Sequence, residues 1–127
     1  MTRNMAVRSG EAPAAIGPYS QAVRAGEFLF VSGQIPADPA SGKIVEAGVA
    51  AQTERALKNL GAILAAAGLG FGSVVKTTVY LTDMERFAEM NEVYARFFGE
   101  TPPARATVQA GALPKGALVE IEAVARG

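Results

Sequence analysis

Only two stretches of this chain carry helical periodicity, against six that read as strands, so the helices can cover no more than one face of a sheet. The stronger runs from Gly48 to Ala67. Val49, Thr53, Ala56, Leu57, Leu60, Ile63, Leu64 and Ala67 recur at spacings of three and four, and Gln52, Glu54, Arg55 and Lys58 fall off that stripe. Gly68 stands where a left-handed C-cap belongs. The second helix opens at Thr82-Asp83-Met84-Glu85, a capping-box pattern. It presents Phe87, Met90, Tyr94 and Phe97 as its apolar face and ends at Gly99.

Strands are expected at Arg3–Val7, Tyr19–Arg24, Phe28–Ser32, Ser73–Leu81, Ala104–Ala110 and Ala117–Ala125. Ala25-Gly26-Glu27 joins the second to the third, and Ser73–Leu81 is rich in β-branched residues. Pro13, Gly17 and Pro18 break one loop, and Gly33–Lys43 forms another. The order is β-β-β-α-β-α-β-β, an α+β fold in one domain spanning residues 1–127. In the last strand Val119, Ile121, Ala123 and Ala125 share the side that suits a helix-covered core. Leu118, Glu120, Glu122 and Val124 share the other. A monomer would leave those apolar groups wet, so another subunit is expected to pack there.

The chain has no Cys and no His. That excludes disulfides, thiolate nucleophiles, imidazole bases and an ordinary zinc site. Chemistry is left to Arg, Glu, Asp, Lys, Tyr, Ser, Thr, backbone groups and water, which suits an already electrophilic substrate. Net charge is zero with no basic block, which argues against nucleic acid and against a membrane surface as partners. The apolar run 62–69 is too short to span a bilayer. The opening MTRNMAVRSG has no apolar signal segment, so the expected location is cytoplasmic.

Arg105 sits on a strand, and its planar guanidinium suits bidentate binding of a carboxylate; an ion pair with one glutamate is the alternative. If the last two strands form a hairpin about Leu113-Pro114, Arg105 lies near Glu122 and Thr107 near Glu120, all on one face. Glu120 and Glu122 form either an acid/base pair or a solvated strand face. Gly17-Pro18-Tyr19-Ser20 and Ser32-Gly33-Gln34 place hydroxyls and backbone N–H groups at strand ends. Asn91 lies on the second helix's apolar stripe, where it either caps a loop or lines a cleft. Lys76 reads as an ordinary strand lysine. The Gly-rich turns at 70–72 and 111–116 lack the context of a phosphate loop.

Several stretches match one family: Ala15-Ile-Gly-Pro-Tyr-Ser-Gln21, Ser32-Gly-Gln-Ile-Pro36, Val75-Lys-Thr-Thr78, Leu81-Thr-Asp83, Met90-Asn-Glu-Val-Tyr94, Pro103-Ala-Arg105 and Leu113-Pro-Lys-Gly116 before Val119-Glu-Ile-Glu-Ala123. The chain resembles the RidA (YjgF) family of reactive intermediate deaminases from about Pro13 to Ala125. The resemblance implies a chorismate-mutase-like fold, one mixed sheet with two helices on one face. It also implies a homotrimer with inter-subunit clefts. The implied reaction is cofactor-free and metal-free hydrolysis of 2-iminobutanoate and 2-iminopropanoate to 2-oxo acids and ammonia. Arg105 would bind the substrate carboxylate, helped by the Gly33 N–H, and the carbonyl of Thr107 would accept from the imino nitrogen. Glu120 would manage the attacking water, and Tyr19, Ser32 and Asn91 would line the cleft. Many relatives carry Cys where this chain has Thr107, so thiol redox chemistry is excluded here. Two rival roles are a non-catalytic trimer that binds 2-oxo acids, and an endoribonuclease or translation inhibitor.

Overall fold

The stripe on the long helix finds its partner in alternate residues of the last strand. In the computed structural model, which describes residues 3–127, Ala56, Leu57, Leu60, Ile63 and Leu64 are fully buried, as are Val119, Ile121 and Ala125. The strands are β1 (Met5–Val7), β2 (Ala22–Ala25), β3 (Phe28–Gln34), β4 (Val74–Leu81), β5 (Ala104–Gln109) and β6 (Val119–Arg126). The helices are α1 (Gly48–Ala66) and α2 (Phe87–Ala95). The element order is the expected one. Gly68 takes φ +77 and returns its N–H to the Ala65 carbonyl, closing α1 as a left-handed cap does. Neither helix is long and apolar enough to cross a membrane.

The six strands form one mixed sheet in the order β1-β2-β3-β6-β4-β5, antiparallel throughout except for β4 with β5. The expected hairpin between the last two strands is therefore absent, because β4 lies between them. The reason lies in α2. A helix packed on the sheet between two strands makes a crossover, and a crossover returns the next strand parallel to its predecessor. β5, mostly exposed, takes the free edge; β6, buried at every second residue, takes the centre.

Other boundaries moved by a few residues. β2 begins at Ala22, which leaves Tyr19 and Ser20 in the preceding loop, and β3 continues through Gly33 to Gln34. The Asp83 carboxylate accepts from Glu85 N at 3.0 Å and opens a single 3-10 turn, with α2 starting only at Phe87 and ending a turn before Gly99. Phe87 is exposed and Val93 takes its place in the buried stripe.

Two polar residues of α1 bind neighbouring segments. Gln52, expected off the apolar stripe, is buried: it donates to the Val45 carbonyl and accepts from Leu118 N, both at 2.8 Å. Asn59 is wholly buried and donates to the carbonyls of Ile35 and Ala37 at 3.1 and 2.9 Å. Those bonds dock the segment after β3 onto α1. Asn59→Leu keeps the volume but orphans the buried Ala37 carbonyl, at about 1–3 kcal/mol, while the Ile35 carbonyl still accepts from Ala37 N. A loss of about 1–3 kcal/mol in urea unfolding is the expected result.

Both helices lie on one face. The opposite face shows Phe28, Phe30, Val108 and Val124 among Tyr80, Glu120 and Glu122, with Phe30 and Val108 exposed at 49% and 42%.

Candidate functional site

Strand register decides which side each candidate occupies. Arg105 pairs with Thr77, and Thr77 is fully buried with its hydroxyl 2.7 Å from the Tyr94 hydroxyl on α2. Arg105 therefore emerges on the helix side. Its guanidinium carbon lies 4.7 Å from the Tyr94 ring centroid and 5.5 Å from that of Phe87, within cation–π range of both. Burial raises the Tyr94 pKa, opposed by the Thr77 hydrogen bond and the charge of Arg105, so the ring stays a neutral platform. Among the described residues Arg105 forms no ion pair. It closes one end of a cleft of about 440 Å³ with Asn91, Tyr94, Phe98, Pro102 and Pro103. Asn91 is exposed in that cleft rather than buried on the apolar stripe.

Thr107 shares the Arg105 face, paired with Val79. The Ala110 N–H donates to the Leu81 carbonyl of β4. Backbone groups alternate along a strand, so the Thr107 N–H and C=O point away from β4, out of the free edge. The Thr107 hydroxyl is buried with no hydrogen-bond partner among the described residues.

Glu120 stands on the opposite face. It lies between the fully buried Val119 and Ile121 and pairs with Tyr80. The expectation that Arg105 and Glu120 share a face, with Thr107 next to Glu120 and Arg105 next to Glu122, is overturned. The bridge between Arg105 and a glutamate goes with it. Glu120 is half-buried, and burial, with Glu122 adding to it, pushes its pKa above the ordinary carboxylate value. No side chain or backbone N–H among the described residues donates to its carboxylate, which lies against Gly33. Tyr80 donates to Glu122 instead, at 2.7 Å.

Of the remaining candidates, Gly33 lies against Glu120 and Ser32 precedes it on β3. The Ser32 hydroxyl donates to the Ser20 carbonyl at 2.6 Å, and Tyr19 is exposed in a separate cleft formed by the N-terminal loops. Gly33 and Arg105 are three strand spacings apart, roughly 14 Å across the sheet. The candidates thus fall into separate groups: Arg105, Asn91 and Thr107 towards the β5 edge, Ser32, Gly33 and Glu120 at the far end of the sheet, and Tyr19 in a cleft of its own. The aromatic platform under Arg105 was hidden in the sequence because Tyr94 fits a core stripe equally well.

Residues 9–126 match the family model described as Endoribonuclease L-PSP. The chain belongs to that family, also called RidA or YjgF. It is 57% identical over 122 residues to protein DfrA of Myxococcus xanthus, covering 94% of this chain and 93% of that one. It is 53% identical over 119 residues to the Mus musculus protein named 2-iminobutanoate/2-iminopropanoate deaminase, covering 94% and 88%. Among solved structures, Escherichia coli TdcF with bound serine superposes with a TM-score of 0.92 at 46% identity, covering 97% of this chain and 98% of that one.

Within this RidA-family chain, Gly33 is a sensitive probe of Glu120. A Cβ built on Gly33 would collide with the Glu120 carboxylate, the movable end of a side chain rather than backbone. Gly33→Ala should therefore displace the carboxylate and leave the fold in place. If Glu120 serves turnover, the expected result is a fall of at least about tenfold in kcat, with Tm changed by no more than a few degrees. Unchanged kcat would mean that the position of the carboxylate is immaterial to turnover.

Proposed function

We propose that this protein hydrolyses 2-imino acids such as 2-iminobutanoate and 2-iminopropanoate to 2-oxo acids and ammonia, in sites assembled between copies of the chain. The observation that carries the reading is a guanidinium held on the Tyr94 ring, open to a cleft and without a carboxylate of its own. The relatives named 2-iminobutanoate/2-iminopropanoate deaminase, from mouse and human, support it at 53% identity.

Arg105 grips the substrate carboxylate through two parallel N–H donors. The outward carbonyl of Thr107 accepts from the imino nitrogen. A second copy, packed on the uncovered sheet face as a homotrimer, supplies Glu120 and the Gly33 N–H, with Tyr19 and Ser32 beside them. The Glu120 carboxylate takes a proton from water as the water oxygen bonds to the iminium carbon, giving a carbinolamine. Glu120 passes that proton to the nitrogen and then takes the hydroxyl proton as the C–N bond breaks, so the 2-oxo acid and ammonia leave and Glu120 finally releases the proton to ammonia or solvent. The iminium is electrophilic already, so positioning and one proton relay suffice, with no cofactor or metal in the scheme. The partners are small imino and oxo acids rather than nucleic acid or membrane, and the setting is the cytoplasm.

The test couples a threonine dehydratase to the purified protein and follows trapping of 2-iminobutanoate by semicarbazide. The expected result is suppression of semicarbazone, with ammonia and 2-oxobutanoate formed faster than in buffer. No suppression would end the enzyme reading for this substrate. Binding of 2-oxobutanoate without turnover would support the rival role of a ligand-binding trimer, which the serine bound to the TdcF relative favours.

A further inference from the structure

Glu122 has no part in the scheme above, yet it is the charge nearest Glu120 along the strand. The two carboxylates share a face, and each is turned a different way. Tyr80 is the register partner of Glu120, but its hydroxyl reaches past to Glu122, at 2.7 Å. The carboxylate of Glu120 lies instead against Gly33, so close that a Cβ there would collide with it. We propose that Tyr80 and Glu122 are positioning residues for the water-activating step: the phenol holds the Glu122 side chain in place on the face it shares with Glu120, and Glu122 acts on the proton transfer through that neighbour. The proposal rests on the reading of Glu120 as the base.

Within its own chain Glu122 is the charge nearest Glu120 on this face, and in the assembled site the Arg105 of another copy acts in the opposite direction. On the same face β4 contributes Tyr80 and, opposite Val124, Lys76, which lies beyond Glu122 as seen from Glu120. β3 contributes Phe28, Phe30, Ser32 and Gly33, and β5 Ala104, Ala106 and Val108, none of them charged. Arg126, further along β6, is engaged with Glu27 at 3.4 Å. Tyr80 in turn stays protonated, since its bond to Glu122 raises its pKa, so it remains a donor across the working pH range. Burial and the Glu122 charge act on Glu120 in the same direction. Its base form is present above its raised pKa and is lost as pH falls through it, so the acid limb of the rate profile is shifted upward from that of an ordinary glutamate.

The test is a ¹³C NMR titration of the glutamate carboxyls in wild type, Glu122→Gln, Tyr80→Phe and the double variant, with the pH profile of imine hydrolysis recorded in parallel. Glu122 is exposed in the single chain and glutamine keeps its size and its acceptor for Tyr80, so the variant spares the core, with the oligomeric state checked alongside. In Glu122→Gln the Glu120 midpoint is expected to fall by about half to one pH unit, as for two unit charges about 7 Å apart at a partly wetted surface. The acid limb of kcat should move with it while KM holds. Tyr80→Phe should alter the Glu120 titration only when Glu122 is present, because the phenol acts through it. An unmoved Glu120 midpoint in Glu122→Gln overturns the proposal. So does a Tyr80→Phe effect that persists in the Glu122→Gln background, or a midpoint that moves while the acid limb stays. The NMR arm reads the charge coupling even where hydrolysis is absent, so a failed deaminase reading shows up separately, as wild type without turnover.

Discussion

Arg105→Ala is expected to lower kcat/KM for 2-iminobutanoate hydrolysis by about 10²–10⁴-fold and to leave the fold intact. The magnitude follows from two charge-assisted hydrogen bonds to a carboxylate, each worth about 1.5–3 kcal/mol. The intact fold follows from where Arg105 sits. It is on the edge strand, half-buried, and forms no ion pair among the described residues that its loss would break. What it gives up is a stack on Tyr94, worth about 0.5–1 kcal/mol at a partly exposed site. Arg105→Lys should recover only a small part of the activity, because an ammonium keeps the charge without the planar fork. The semicarbazide assay and a thermal melt on the same preparations check both halves. A variant that melts like wild type and also turns over like wild type would remove Arg105 from the site.

The sequence carried the elements but not their arrangement, and the physical reason is specific. Periodicity reports which side of a strand or helix is buried, and it placed the buried stripe of α1 and the alternation of β6 correctly. It does not report which strands are neighbours. The short turn at Leu113-Pro114 suggested a hairpin, but α2 in the connection between β4 and β5 makes that pair parallel and puts β4 between β5 and β6. From that one difference come the two largest errors of the site: Arg105 changes face, and Thr107 leaves Glu120 for Val79. Gln52 and Asn59 were illegible for another reason. A polar side chain reads as solvent-facing unless the carbonyls it must satisfy are known, and those belong to residues 35, 37 and 45 on a segment without periodicity. The residue types of the site were legible, because a chain without Cys or His leaves few groups able to bind an anion or move a proton.

The opposed faces of Arg105 and Glu120 yield the second large effect, a gain of activity from two inactive proteins. If each site joins Arg105 of one copy to Glu120 of another, Arg105→Ala and Glu120→Gln subunits are each inactive alone but complementary when mixed. In a ring assembled at random from equal amounts, a junction has one chance in two of an intact Arg105 and, independently, one in two of an intact Glu120. About one quarter of the junctions are then whole, and about one quarter of wild-type activity should appear after joint unfolding in urea and refolding. Refolding each variant separately and then combining the two below their exchange rate should give none, which separates complementation from contamination. The uncovered face, with Phe28, Phe30, Val108 and Val124 beside Glu120, is where the second copy would seat. A mixture that stays inactive although both subunits enter the same oligomer would mean that one chain builds its whole site. β5 or β6 would then have to leave its place in the sheet during turnover, because the register holds the two residues on opposite sides of it.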